Sequence, residues 1–414
     1  MFSGQGEIMS DAPARAARTG PLALYVHIPF CETKCPYCDF NTYAGIESLI
    51  PSYVAALNNE ISVWSDLLGG PAVDTVFFGG GTPSYLPAER IASIIGAIRG
   101  GFDVASDVEV TLESNPGDFK ESKLTAYLEA GVNRLSIGVQ SLDDRLLEML
   151  GRRHSADQAV EAYTLALDAG FDNVNVDLMY GLPHQTLAEW QATLDGVAEL
   201  RPAHISMYCL TLEEGTVMEQ QVRSGQVPDP DPDLAADMYV MAQESMAPLG
   251  YRHYEISNWA QPDCECRHNL AYWRNLSYLG VGPGAHSYLD SFRFWNLKSP
   301  REYVRLLQEG STSIMSVDTL SAEVLGDVPV VESVEDIDAR LEMAETLMMG
   351  LRLDTGITVD DFARRFGVTP SQAYGETIEE LSSIGLLEGV DGRLRLTPRG
   401  RLFGNEVFSR FFAD

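Results

Sequence analysis

Between residues 22 and 212 the chain repeats one unit six times: a short β-branched or apolar run, a Gly/Pro or polar turn, then a helical stretch. "LALYVHIPF" precedes a helical 50–68, "VDTVFFGGG" precedes 87–100, and "DVEVTLESNP" precedes 120–130. "NRLSIGVQS" leads into helices over 142–169, "DNVNVDLMYGLP" into 186–199, and "HISMYCLTL" closes the series. Strands that alternate with helices at roughly 30-residue spacing dictate an α/β fold with a parallel sheet, since a parallel strand is reached only through a crossover. Six cycles fall short of the eight of a closed TIM barrel, so the expected core is a partial, open (β/α)6 barrel over 21–230.

The remainder divides at composition breaks. "GQVPDPDPD" (225–233) reads as a surface connection into a helix near 234–247, which opens a barrel extension over 231–320. The acidic "SAEVLGDVPVVESVEDIDA" marks a second break, and 321–414 reads as a separate C-terminal domain. Two amphipathic helices followed by "GLLEGVDGRLRLTPRG" resemble a winged-helix unit. The chain carries 29 Lys and Arg against 60 Asp and Glu, a net charge of −31. So acidic a protein is repelled by nucleic acid and by anionic membranes, which favours a packing or docking role for that unit over DNA binding.

Residues 1–20 lack the apolar core of a signal peptide and read as a disordered tail. No apolar run reaches the ~18 residues a membrane helix needs. Six cysteines in 414 residues are too sparse for a disulfide scaffold. A cytoplasmic, reducing location with metal or redox use of the clustered cysteines is expected.

Parallel α/β sheets build their sites at the C-terminal ends of the strands, and the polar residues gather there. Gly79, Gly80, Gly81 and Thr82 end the second strand, Glu113 the third and Gln140 the fourth, while Asp177 lies in the fifth. A carboxylate inside "NVNVDLMYG" is costly to bury alone, so Asp177 should have a partner or a ligand. After the first strand, "CETKCPYCDF" places Cys31, Cys35 and Cys38 in a C-x3-C-x2-C spacing with no fourth sulfur nearby. Soft sulfur ligands select zinc or an iron–sulfur cluster. Structural zinc needs four protein ligands, and the fourth would have to be borrowed, for instance from His27. A [4Fe–4S] cluster held by three cysteines instead leaves one iron open.

With Tyr37 before the last cysteine and "GGGTP" following, the pattern resembles the radical S-adenosylmethionine (SAM) superfamily. The resemblance implies that SAM chelates the open iron. "YVHIPFCETKCPYCDFN", "FFGGGTPS", "ESNPGD", "GVNRLSIGVQS", "GRRHS", "DLMYGLP" and "EISNWA" with "CRHNLAYW" narrow it to the coproporphyrinogen-III-oxidase-related branch, over roughly 22–410. Carried over by position, Tyr25, Tyr37, Gly80, Gly81, Thr82, Glu113, Gln140, Arg152 and Asp177 would bind SAM. Arg153 is the alternative to Arg152, though the spacing from Gln140 favours Arg152.

That branch holds an oxygen-independent oxidase, which decarboxylates coproporphyrinogen III, and a haem chaperone, which delivers haem to respiratory proteins. The oxidase pattern has a further cysteine two residues after the third, where this chain has Phe40, and a longer extension than the 30 residues before Cys31. His268, Asn269, Tyr272 and Trp273 form the H-N-x-x-Y-W box of the chaperone group. The resemblance therefore implies haem or another porphyrin as ligand, haem-acceptor proteins and an electron donor as partners, and a carrier rather than an oxidase. His268 would be the haem contact, with Cys266 an alternative axial ligand; a buried histidine bonded to its neighbours is the competing reading. Cys264, Cys266 and His268 also form a C-x-C-x-H run that reads as a metal site or as coincidence.

Overall fold

The computed structural model describes residues 20–309, 317 and 319–412; the tail expected over 1–20 lies, but for Gly20, outside them. Six strand–helix cycles run in order: β1 (Leu22–Ile28) and α1 (Ile50–Leu68), β2 (Ala72–Gly80) and α2 (Ala88–Gly101), β3 (Asp103–Ser114) and α3 (Glu121–Ala130). β4 (Arg134–Gln140) is followed by α4 (Asp144–Met149) and α5 (Ala156–Ala169), β5 (Asn173–Tyr180) by α6 (Leu187–Leu200), and β6 (His204–Cys209) by α7 (Val217–Arg223) and α8 (Pro232–Met246). Local sequence starts the helices cleanly. Ser155 with Gln158 and Thr186 with Glu189 close capping boxes at the heads of α5 and α6, satisfying backbone donors that a helix start leaves free.

β7 (Arg252–His253), β8 (Asn258–Ala260), α9 (Arg267–Trp273), β9 (Tyr278–Val281), β10 (His286–Leu289), β11 (Phe292–Asn296), α10 (Pro300–Glu309), α11 (Ala322–Gly326) and β12 (Val331–Asp336) follow. The sheet order is β12-β11-β10-β9-β1-β2-β3-β4-β5-β6-β8-β7, open at both ends, so the barrel is partial. One parallel strand goes beyond the six of the repeat: β9 pairs parallel with β1, Tyr25 opposite Gly280. Antiparallel β10 and β11 extend that edge, and antiparallel β8 and β7 extend the other.

Period-2 alternation sorts the strands' side chains into two sets. Leu24, Val26, Val76, Phe78, Val110, Leu112, Leu135, Ile137, Val174, Val176, Ile205 and Met207 join one buried apolar core with Tyr53, Leu57 and Trp64 of α1. The alternate set is mostly polar: Tyr25, His27, Thr75, Glu109, Thr111, Glu113, Arg134, Ser136, Asn175, Asp177, His204 and Ser206. Register aligns these in rows across the sheet, with Glu113 opposite Ser136, Ser136 opposite Asn175 and Asn175 opposite His204. The inner face is thus a polar surface on an apolar scaffold.

Compact packing joins Gly20–Glu335 in one unit, so the acidic break at 321 falls within it and the second unit begins at Asp336. In the second unit come α12 (Ala339–Gly350), β13 (Ile357–Thr358), α13 (Val359–Phe366), α14 (Pro370–Ser383), β14 (Leu387–Val390) and β15 (Arg393–Leu396). β13, β15 and β14 form a small antiparallel sheet beside two helices, as a winged-helix unit does. The turn between β14 and β15 is Asp391–Gly392, both at positive φ (50° and 74°), the geometry a two-residue hairpin loop demands.

Candidate functional site

A cavity of about 400 Å³ opens at the C-terminal ends of the parallel strands, within the size range of small-molecule sites. Cys31, Cys35 and Cys38 line it together with Tyr37, Gly80, Gly81, Thr82, Glu113, Gln140, Arg152 and Asp177, residues drawn from the loop after β1 and from β2 through β5. Tyr25 does not reach its wall. The Tyr25 hydroxyl bonds His27 Nδ1 at 3.0 Å, and its ring lies 6.3 Å from that of Phe77.

Backbone bonds hold the cysteine loop in place. Cys31 N donates to Tyr43 O (3.0 Å), Cys38 N to Cys35 O (3.2 Å), and Met218 N reaches Pro36 O (2.9 Å). The glycine loop is stitched to the residues before Cys31: Gly81 N donates to Ile28 O and Thr82 N to Phe30 O, each at 2.8 Å. That approach requires glycine. A Cβ on Gly81 would fall 2.6 Å from Phe30 O, and Gly80, at φ +107°, would drive one into the His27 ring at 2.5 Å.

All six cysteines are free. Among the described residues no three His, Cys, Asp or Glu side chains converge on a single metal ion. Three thiols that share a cavity without converging suit a cubane, in which each binds a different iron, and do not suit one zinc ion. His27, the borrowed fourth ligand of the zinc reading, is engaged through both ring nitrogens, to Tyr25 and to Asn41 O (2.9 Å). The donor set also fits a cluster in a second respect: Thr42 Oγ1 is buried without a hydrogen-bond partner at the cavity wall. Burial raises the Cys31 and Cys38 thiols, for Cys31 against the opposing effect of the Thr82 hydroxyl.

The carboxylates sit deeper. Asp177 accepts hydrogen bonds from Ser136 Oγ (2.9 Å) and Asn175 Nδ2 (2.8 Å), the partners its buried position demands. Burial still raises its pKa against those bonds. Glu113 accepts from Gly80 N at 3.2 Å and is pushed up to about 8 by burial first and by neighbouring Asp177 second. A pocket whose carboxylates resist ionisation favours a cationic guest. Gln140 holds φ +68°, the left-handed region that a non-glycine residue adopts only where its surroundings impose it. Asn115, missed in the sequence because "SNPG" reads as a turn, also lines the cavity and accepts a hydrogen bond from Arg152 Nη2.

None of His268, Asn269, Tyr272 and Trp273 lines the cavity. α9 instead packs on β2 at the opposite end of the sheet's inner face. His268 is 1% exposed, with Nδ1 2.9 Å from Thr75 Oγ1, Nε2 2.9 Å from the Tyr272 hydroxyl, and its ring stacked on Phe77 at 5.1 Å. Burial and the nearby Arg134 charge lower its pKa to about 3, so it is neutral. Neither ring nitrogen is open to iron in this arrangement. Cys266 is wholly buried, its Sγ directed at Glu109 Oε1 (3.6 Å) and its pKa pushed up to about 12 by burial, so the C-x-C-x-H run holds a thiol rather than a metal-ready thiolate.

Residues 25–197 match the radical SAM superfamily and residues 337–403 the HemN C-terminal domain. The protein named heme chaperone HemW of Mycobacterium tuberculosis is 35% identical over 401 residues, 96% of each chain. That of Bacillus subtilis is 34% identical over 94% of this chain and 99% of its own. The structure of coproporphyrinogen III oxidase (HemN) from Escherichia coli superposes with a TM-score of 0.80 at 23% identity, covering 96% of this chain and 91% of that one. Among the described residues no helix is long and apolar enough to cross a membrane.

Proposed function

The chain belongs to the HemW family of radical SAM proteins, and on that premise we propose that it is a haem chaperone of the cytoplasm. It would bind haem and hand it to acceptor proteins, carrying a [4Fe–4S] cluster with SAM. One observation carries this reading: similarity to proteins of that name extends over nearly the whole of both chains. Phe40 supports it, since it stands 61% exposed at the cavity rim where the oxidase pattern has its fourth cysteine.

In this reading Cys31, Cys35 and Cys38 hold three irons of the cluster, which supplies one-electron chemistry and a site for SAM. Gly80 and Gly81 leave room for the ligand's polar end, and Glu113 and Asp177 offer it counter-charge. Arg152 closes the wall through Gly138 O at 2.7 Å, and Gln140 and Tyr37 complete it. An electron donor would be a further partner. The engagement of both His268 nitrogens supports a packing role for the H-N-x-x-Y-W box rather than an axial one.

The test is an anaerobically reconstituted protein, with iron and sulfide measured, titrated with haem and assayed on coproporphyrinogen III. Saturable growth of a Soret band without protoporphyrin is expected. Repeated turnover to protoporphyrin would make the protein an oxidase instead.

A further inference from the structure

Asn115 stands between two residues that touch the cluster cysteines. Arg152 places Nη1 3.6 Å from Cys35 Sγ, and its Nη2 donates to Asn115 Oδ1. Asn115 Nδ2 in turn donates to Thr82 Oγ1 at 3.1 Å, and Thr82 Oγ1 lies 3.7 Å from Cys31 Sγ. The polarity of this chain is fixed at every link. Guanidinium hydrogens can only donate, so the Asn115 oxygen faces Arg152 and its amide faces Thr82. With a lone pair of Thr82 taken by that amide, the hydroxyl hydrogen is left to the Cys31 sulfur. The Asn115 backbone is itself pinned, its N–H donating to Ser84 Oγ at 3.2 Å.

We propose that Asn115 is a positioning residue for the cluster: it orients Thr82 and Arg152 so that the Cys31 and Cys35 thiolates receive hydrogen bonds, and thereby raises the cluster's reduction potential. The inference rests on the cluster reading above. Its physical basis is that donors to ligating sulfur stabilise the more negative, reduced cluster, and that aligned donors strengthen one another. Asn115→Asp makes the dependence visible. A carboxylate of the same shape still accepts from Arg152 but cannot donate to Thr82, so the Thr82 hydroxyl turns to it and leaves Cys31.

The experiment is an EPR-monitored redox titration of the reconstituted protein and its variants, with iron counted in each. Thr82→Val is expected to lower the midpoint potential and Thr82→Ser to restore it. Asn115→Asp should lower the potential in the parent, and by less when Thr82 is already Val, because only the added charge then remains. A parent that takes up no cluster iron would sink the functional reading. A parent with its full cluster, and a Thr82→Val potential equal to it, would sink this inference alone. An Asn115→Asp shift of the same size in both backgrounds would also overturn it. If Thr82→Val fails to load iron, Asn115→Asp, which opens no void, carries the test against Thr82→Ser.

Discussion

Glu109 and His268, far apart in sequence, are joined at the foot of the sheet: Glu109 Oε1 accepts the His268 backbone N–H at 3.0 Å while Oε2 accepts that of Arg267 at 3.0 Å. Together with the Cys266 thiol these bonds cap the start of α9 from within β3. Glu109→Ala would strand two backbone donors, one on wholly enclosed His268, and is expected to cost on the order of 2–4 kcal/mol. Glu109→Gln, which keeps one acceptor oxygen, should cost about half as much. Urea unfolding measures both, and iron content should stay at the parent value because the cap lies outside the cavity that Cys31, Cys35 and Cys38 line.

His268→Gln separates packing from haem ligation. Glutamine retains a donor and an acceptor but cannot stack on Phe77, so a stability loss of about 1–3 kcal/mol is expected. Haem affinity in a Soret titration should be unchanged. A folded variant that no longer binds haem would return His268 to the haem site.

Gly80 and Gly81 predict different kinds of damage. Alanine at Gly81 meets two backbone carbonyls, which cannot swing aside, and alanine at Gly80 must hold φ +107° against the His27 ring. Each is expected to destabilise by about 1–3 kcal/mol and to weaken SAM binding by at least tenfold. Gly117→Ala, with nothing near its added methyl, is the matched control at the same cavity. Calorimetric titration with SAM measures the difference.

What the sequence could disclose followed from local pattern. β1 through β6 each turn one apolar face into the core, so each leaves a short β-branched or apolar pattern bounded by turns, and the three cysteines announce themselves by spacing. β9 stayed hidden because "YLGV" is four residues long and its parallel partner β1 lies far earlier in the sequence. Glu109 reads locally as the polar member of an alternating strand, yet its role depends on a helix that follows it by more than a hundred residues. His268 is legible as part of a motif, but its burial between Thr75 and Tyr272 is not. Whether an imidazole faces a cofactor or Thr75 is settled by tertiary packing alone.

Cysteine variants should sort by position. Cys35→Ala is expected to abolish stable cluster binding, seen as loss of iron and of the brown absorbance near ~400 nm, since two thiolates cannot retain a cubane. Cys264→Ala, at a half-buried site outside the cavity, should keep its full iron content. A Cys35→Ala protein with undiminished iron would remove the cysteine loop from the site.

Glu113 gives the site a pH dependence whose direction follows from its raised pKa of about 8. Between the ordinary carboxylate range and pH 8 the ligand-free native protein holds a proton there that the unfolded chain has released. Its contribution to native stability is therefore present at low pH and lost as pH rises through 8. A cationic guest at Glu113 reverses the balance by favouring the carboxylate, so on the proposed reading SAM binding below pH 8 is expected to expel a proton from Glu113. The expected signature is a binding enthalpy at pH 7 that changes with the ionisation enthalpy of the buffer, and an affinity that rises toward pH 8 and then levels. Glu113→Gln should bind SAM more weakly, with neither dependence. Buffer-independent heats in the parent protein would mean that the guest's cationic centre sits elsewhere in the cavity.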